Sequence, residues 1–213
     1  MTNGPPADRR RAISETLHET LSKARDLGFL GPGPIDEHVR RALDLSVATD
    51  EAPGRALDLG SGGGVPGLPL MLLWPESRWV LLEASSKRAA FLKEAVAALD
   101  LVRRAEVELG RAETAARSDL RGGFDLVVAR GFAGPAVTAE CGSGFLRIGG
   151  RMIVAEPPGG APSRWDAAGL RHLGMVVGPA LDSPTACQVL LQAHACPDRY
   201  PRRVGVPAKR PLW

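Results

Sequence analysis

One stretch constrains the fold of this chain more than any other: Leu57-Asp58-Leu59-Gly60-Ser61-Gly62-Gly63-Gly64-Val65-Pro66-Gly67. An apolar run carrying an aspartate enters a glycine-rich turn, and a segment able to form a helix follows. Glycine adopts positive φ and has no side chain to hold a ligand away, so such a turn brings backbone N–H groups against a ligand. About twenty residues beyond the first glycines, the spacing at which an acid meets a ribose in dinucleotide folds, the apolar run Trp79-Val80-Leu81-Leu82 ends in Glu83. A carboxylate there accepts hydrogen bonds from ribose hydroxyls. Together these features predict a nucleoside cofactor on an α/β sheet.

The rest of the chain repeats that alternation. Apolar runs predict strands near 56–59, 79–83, 105–109, 124–129 and 150–156, with two more near 174–179 and 186–193. Helical segments are expected between them, near 66–73, 86–99, 112–118, 134–147 and 163–173. Pro66 suits a first helical turn, where a missing N–H costs nothing. Gly149-Gly150 and Gly174 read as helix-to-strand turns. Five parallel strands and a final hairpin make a seven-stranded, mostly parallel, Rossmann-like sheet with helices on both faces. Upstream, Ile13, Leu17, Leu21 and Leu27 recur at near-helical spacing. Gly31-Pro32-Gly33-Pro34 ends that helix, and a second is expected over 35–49. The domain reading is therefore 1–8 disordered, 9–52 a helical cap, 53–196 the α/β domain and 197–213 a basic tail.

Composition removes several classes. With 213 residues, 44% hydrophobic and 24% charged, the chain is long enough for one well-cored domain. It has no run of about 18 apolar residues to span a membrane. Arg9-Arg10-Arg11 is not followed by the apolar core of a secretory signal, so a cytoplasmic protein is expected. Cys141, Cys187 and Cys196 never form Cys-x-x-Cys pairs; reduced, structural thiols are expected rather than a disulfide framework or zinc knuckle. Net charge is +3, but Arg199, Arg202, Arg203, Lys209 and Arg210 concentrate positive charge at the end, compatible with nucleic acid. Without a coiled coil or internal repeat, a monomer is expected.

Two cofactors compete for the loop. Gly62-x-Gly64-x-x-Gly67 satisfies the dinucleotide fingerprint, which by itself is weak. The fuller string Asp58-x-Gly60-x-Gly62-x-Gly64 resembles motif I of class I methyltransferases, which bind S-adenosylmethionine (SAM). After the third strand, Gly110-Arg111-Ala112-Glu113 offers a backbone amide and a carboxylate to an adenine edge. After the fourth comes Arg130. Strand C-terminal ends form the ligand crevice of doubly wound sheets, so these residues converge on one face.

A narrower resemblance rests on Gly60-Ser61-Gly62-Gly63-Gly64-Val65-Pro66-Gly67-Leu68-Pro69, on Lys87-Arg88-Ala89-Ala90-Phe91-Leu92, on Gly110-Arg111-Ala112-Glu113, and on the ending from Tyr200 to Leu212. In these, from about residue 27 onward, the chain resembles the RsmG (GidB) family of ribosomal RNA small-subunit methyltransferases. The resemblance implies SAM-dependent methylation of guanine N7 in small-subunit (16S) ribosomal RNA. It places SAM contacts on Gly60, Ser61, Gly62, Val65, Ala112, Glu113 and Arg130, beside Glu83 from the spacing. Arg130 is the expected active-site side chain. Guanine N7 has a free lone pair and no proton to remove, so alignment rather than a general base is the requirement. Lys87, Arg88, Arg202, Arg203, Lys209 and Arg210 are the expected phosphate contacts, and the small subunit or its RNA the partner.

The substrate side departs from the family. Ala129-Arg130-Gly131 stands where members usually have Ser-Arg-Ala, and Glu156-Pro157 where they usually have a lysine and glycine. The family's Arg-His and Asp-Ser appear as Arg40-Arg41 and Asp44-Leu45. A methyltransferase with another acceptor and a catalytically silent RNA-binding relative are the alternatives these departures leave.

Overall fold

The computed structural model describes residues 7–157, 162–182 and 185–213. Of the stretch expected to lack order, residues 1–6 lie outside the described residues, and Ala7 and Asp8 open the first helix. In chain order the elements are α1 (Ala7–Asp26), α2 (Ile35–Asp44), β1 (Arg55–Leu59), α3 (Gly67–Leu73), β2 (Arg78–Glu83) and α4 (Ser86–Ala98). Then come β3 (Ala105–Leu109), α5 (Ala112–Ala115), β4 (Phe124–Ala129), α6 (Pro135–Ser143) and β5 (Leu146–Ala155). The chain ends with α7 (Ala167–His172), β6 (Met175–Leu181), β7 (Cys187–Gln192) and α8 (Val206–Lys209). Single 3-10 turns occupy Leu45–Ala48 and Pro162–Arg164.

One seven-stranded sheet runs in the order β3-β2-β1-β4-β5-β7-β6. The first five strands are parallel, and β7 pairs antiparallel with both β5 and β6. The order reverses at β1 and β4, whose C-terminal ends therefore open a crevice between outgoing chains. Side chains alternate along each strand and feed two cores. Ala56, Trp79, Leu81, Leu126 and Val128 pack with α1, α2, α3 and α4. Leu57, Leu59, Val80, Leu82, Val127 and Ala129 pack with α5, α6, α7 and Tyr200. Both faces are covered, which is why the central strands read as unbroken apolar runs.

Four expectations need correction. Leu27 lies past the end of α1 and is exposed; Leu17, Leu21 and Ala24 form the buried face. The second helix stops at Asp44 and tightens into the 3-10 turn. Pro66 is the N-cap of α3, after a cis Val65–Pro66 bond, rather than its first helical residue. Gly149-Gly150 lies inside β5, where the register against β4 shifts between Phe124 and Leu126. A Cβ on Gly150 would lie 2.9 Å from Phe124 O and 3.0 Å from Arg147 O, so the pair serves a bulge, which glycine permits as readily as a turn.

The α1–α2 cap is tied to the sheet by polar contacts as well as burial. Thr185 Oγ1, ahead of β7, donates to Asp44 Oδ2 at 2.7 Å, and Arg151 of β5 donates to Ala48 O at 3.3 Å. The last residues are docked too. Arg202 forms a bidentate pair with fully buried Glu140 of α6, Nε to Oε1 at 2.8 Å and Nη2 to Oε2 at 2.6 Å. α8 then lies along α6.

Candidate functional site

At the C-terminal end of β1 the chain turns under the end of β2: Gly60 N and Ser61 N both donate to Leu82 O, at 2.9 and 3.0 Å. Gly60 has φ +73°, and a Cβ on it would lie 2.6 Å from the Phe132 ring. Gly67 opens α3 directly over β1, where a Cβ would meet Asp58 Oδ2 at 2.6 Å and Leu81 at 2.7 Å. These contacts explain why glycine and no other residue occupies both ends of the turn. Val65, between them, is buried.

Asp58 is 1% exposed. Its Oδ2 accepts Gly67 N–H at 3.1 Å, while Ser61 Oγ donates to the Asp58 carbonyl at 3.0 Å. Burial pushes the Asp58 pKa up to about 7, against the pull of the Gly67 amide and Ser61. Its Oδ1 is buried and has no hydrogen-bond partner among the described residues.

Glu83, also buried, braces two elements at once. Oε2 accepts Gly62 N–H at 2.9 Å and Oε1 accepts Ser85 N–H, at the N-cap of α4, at 2.9 Å. Each carboxylate oxygen keeps a second lone pair for another donor. One strand further, Gly110 N donates to Glu83 O at 3.0 Å, which sets α5 beside this carboxylate. Ala112 and Glu113 are both buried there. Glu113 Oε1 accepts Gly205 N–H at 3.0 Å, so the chain end closes over α5. Burial raises the Glu113 pKa, but the Gly205 amide, its own backbone amide and Arg111 together bring it below the usual value.

Arg130 leaves the end of β4, the strand paired with β1. Its Nη2 donates to His38 Nδ1 at 2.6 Å, and its Nη1 is buried without a hydrogen-bond partner among the described residues. Burial and nearby Arg41 lower its pKa, while Asp58 opposes them. Adjacent strand ends thus carry one buried acceptor and one buried donor, each unsatisfied. Leaving such groups unpaired costs about 1–3 kcal/mol apiece, more when charged. An amino-acid zwitterion offers the complementary pair, an ammonium for Asp58 and a carboxylate for Arg130, as the methionine end of SAM does. The donor set fits that cofactor.

Beyond the ends of β4 and β5 lies a cleft of about 350 Å³ whose walls include Arg41, Arg130, Phe132, Thr138, Glu156 and Trp165. Phe132, lying against Gly60, stands between the loop and this cleft. Glu156 is held at its wall by an ion pair with Arg164 and by Trp165 Nε1–H, which donates to Oε1 at 2.8 Å. Arg41 pairs with Glu37 one turn earlier on α2.

The structure brings Gly60, Ser61, Gly62, Val65, Glu83, Ala112, Glu113 and Arg130 to one end of the sheet. It distributes the expected RNA contacts unevenly. Lys87 is exposed on the first turn of α4, and Arg88 lies half-buried with its guanidinium 5.9 Å from the Phe29 ring centre. Arg203, Lys209 and Arg210 are exposed, whereas Arg202 is committed to Glu140. Sequence reasoning missed His38, Phe132 and Trp165. His38 had a signal: it precedes Arg41 by three residues and Leu45 by seven, the spacing of one helix face. Phe132 and Trp165 had none, since their neighbours come from distant segments.

Comparison with known proteins agrees with this geometry. Residues 34–156 match the family described as GidB, rRNA small subunit methyltransferase G. A ribosomal RNA small subunit methyltransferase G from Moorella thermoacetica is 39% identical over 186 residues, covering 83% of this chain and 77% of the relative. One from Syntrophomonas wolfei is 33% identical and covers 94% of each. Among solved structures, the O-methyltransferase from Bacillus cereus in complex with SAH has the same fold, with a TM-score of 0.56 at 16% identity, covering 83% of this chain and 89% of that one.

Proposed function

Because this chain belongs to the rRNA small subunit methyltransferase G family of SAM-dependent enzymes, we propose that it methylates N7 of a guanine in small-subunit (16S) ribosomal RNA. The observation that carries the reading is the unsatisfied pair Asp58 Oδ1 and Arg130 Nη1 beside the glycine loop, with Arg130 also lining the cleft at the ends of β4 and β5. When bound, SAM supplies an electrophilic methyl carbon on a sulfonium sulfur.

The chain's own residues then bind and orient. Gly60, Ser61, Gly62 and Val65 line the loop against which the cofactor lies. Asp58 accepts from its ammonium and Arg130 donates to its carboxylate. Glu83, fixed by Gly62 and Ser85, keeps lone pairs for the ribose hydroxyls. Ala112 and Glu113 border the adenine. The cleft receives the target base, whose N7 lone pair attacks without deprotonation; the work is alignment and exclusion of water. Lys87, Arg88, Arg203, Lys209 and Arg210 grip RNA phosphates. Arg202 instead pins the chain end to α6. The helical cap over 9–52, the α/β domain over 53–196 and the segment 197–213 act together in a cytoplasmic monomer. Among the described residues, no helix is long and apolar enough to cross a membrane.

A second reading, another acceptor, draws on Glu156, a carboxylate on the cleft wall where the family usually has lysine. One experiment separates them: transfer of labelled methyl from SAM to unmodified small ribosomal subunits and their naked RNA, followed by digestion to nucleosides. Labelled 7-methylguanosine that disappears in Arg130→Ala is the expected result. SAM binding with no label in either RNA form would sink the ribosomal assignment.

A further inference from the structure

His38 is the one histidine at this site, and its partners dictate its chemistry. Gly31 O, 3.1 Å from Nε2, can only accept, and the Arg130 guanidinium, 2.6 Å from Nδ1, can only donate. A neutral ring protonated on Nε2 satisfies both bonds at once; the imidazolium satisfies only the one to Gly31, and the other tautomer satisfies neither. The side chain is 7% exposed at the buried face of α2, with Ile35 and Ala42. The bond therefore joins the helical cap to the end of β4, across 92 positions of sequence. Arg130 has its other terminal nitrogen buried and unpaired. Of its two terminal nitrogens, one is held by His38 and the other makes no hydrogen bond among the described residues.

We propose that His38 is a positioning residue: as the neutral Nε2–H tautomer it holds Arg130 Nη2, and so aims Arg130 Nη1 at the cofactor side of the site. It touches neither cofactor nor RNA and acts through Arg130. An arginine has several rotatable bonds, and fixing one end of the guanidinium fork removes most of that freedom before the ligand arrives. Burial and the facing Arg130 also lower the His38 pKa, which keeps the ring in the acceptor form. This inference rests on the reading that Arg130 contacts SAM.

The test uses the full chain in three measurements. Long-range ¹H–¹⁵N spectra should show His38 with Nε2 protonated and Nδ1 bare, and the Nδ1 shift should move in Arg130→Lys. His38→Leu should weaken SAM binding and lower methyl transfer by about tenfold to hundredfold, as misplacement of a binding group by about 1 Å does. His38→Gln, whose amide offers one donor and one acceptor, should recover most of both. In the Arg130→Ala background, His38→Leu should add no further loss of SAM affinity, since residues acting as a unit are not additive. A protonated Nδ1, or a His38→Leu loss that persists in full without Arg130, would overturn the proposal. So would a His38→Gln protein that folds, judged by its thermal transition, yet binds SAM as weakly as His38→Leu. A wild-type chain that binds SAM but labels no RNA would count against the ribosomal function alone, because the spectra and the binding cycle need no RNA.

Discussion

The glycine-loop side of the site is built largely from backbone, and the cleft side from side chains that meet only in three dimensions. On the loop side, amides of Gly60, Ser61, Gly62, Gly67 and Gly110 are fixed by β2 and by two buried carboxylates, within two consecutive βαβ units. On the cleft side, Arg41 comes from α2, Phe132 from the loop after β4, Glu156 from the end of β5 and Trp165 from the segment before α7. Backbone approach tolerates almost no substitution, since a Cβ collides. A side-chain wall can change its charge without any clash against backbone. The cofactor half is therefore the part that stays recognisable, and the cleft is where an acceptor can change.

That contrast can be broken at the loop first. Gly67→Val places a branched side chain 2.6 Å from Asp58 Oδ2, so overpacking of about 1–3 kcal/mol or more is expected. SAM affinity should fall by at least about a hundredfold, equivalent to about 2.7 kcal/mol. Unchanged SAM binding by calorimetry would mean that close backbone approach does not define this half.

The chain end tests the opposite kind of contact, a side-chain pair. Arg202→Ala leaves Glu140, 0% exposed, with only the backbone amide of residue 202 and no guanidinium, and breaking a buried pair costs up to about 3–5 kcal/mol. Its melting temperature should drop, whereas Arg203→Ala should leave melting unchanged and reduce only the salt dependence of RNA binding, by a slope of about 1. Equal melting temperatures for the two variants would put Arg202 back among the RNA contacts.

Asp58 sharpens the loop side through pH. Its folded pKa, about 7, lies above the ordinary 3.8. The folded state therefore holds this proton more tightly than the unfolded chain does. The resulting stability is complete below the ordinary value and is lost as pH rises through about 7. Cofactor-free protein should lose melting temperature between about pH 4 and pH 7, and Asp58→Asn should lose less. The same variant should bind SAM roughly tenfold more weakly, the loss of a charged hydrogen bond. Parallel melting curves against pH for both proteins would remove Asp58 as the titrating group.

The smallest effect belongs to the cleft. Glu156→Gln keeps the volume and weakens the hold on Arg164 and Trp165. We expect an unchanged dissociation constant for SAM and an RNA KM altered by up to about tenfold, or about 1.4 kcal/mol. A SAM affinity that shifts with it would show the two halves to be one.

Much of this was legible in the chain. β3 and β4 match the expected 105–109 and 124–129 residue for residue, because Gly110 ends an alternating apolar and acidic run and Gly123 precedes a mostly apolar one. Glu83 lands on the loop because strands of fixed rise place spacing in register. The start of β5 was not legible, since a glycine pair signals a bulge and a turn alike. Nor was Arg202, whose charge suggested solvent and RNA while its burial depends on Glu140, 62 positions away.

Alternating apolar runs, glycine placement and local acids determined the sheet, the order of its elements and the cofactor loop, because those depend on backbone geometry within a few residues or one crossover. The tertiary structure alone decided that His38 meets Arg130, that Phe132 meets Gly60 and that Glu113 meets Gly205. Each of those pairs joins segments far apart in the chain, and such long-range packing leaves no periodic mark in it.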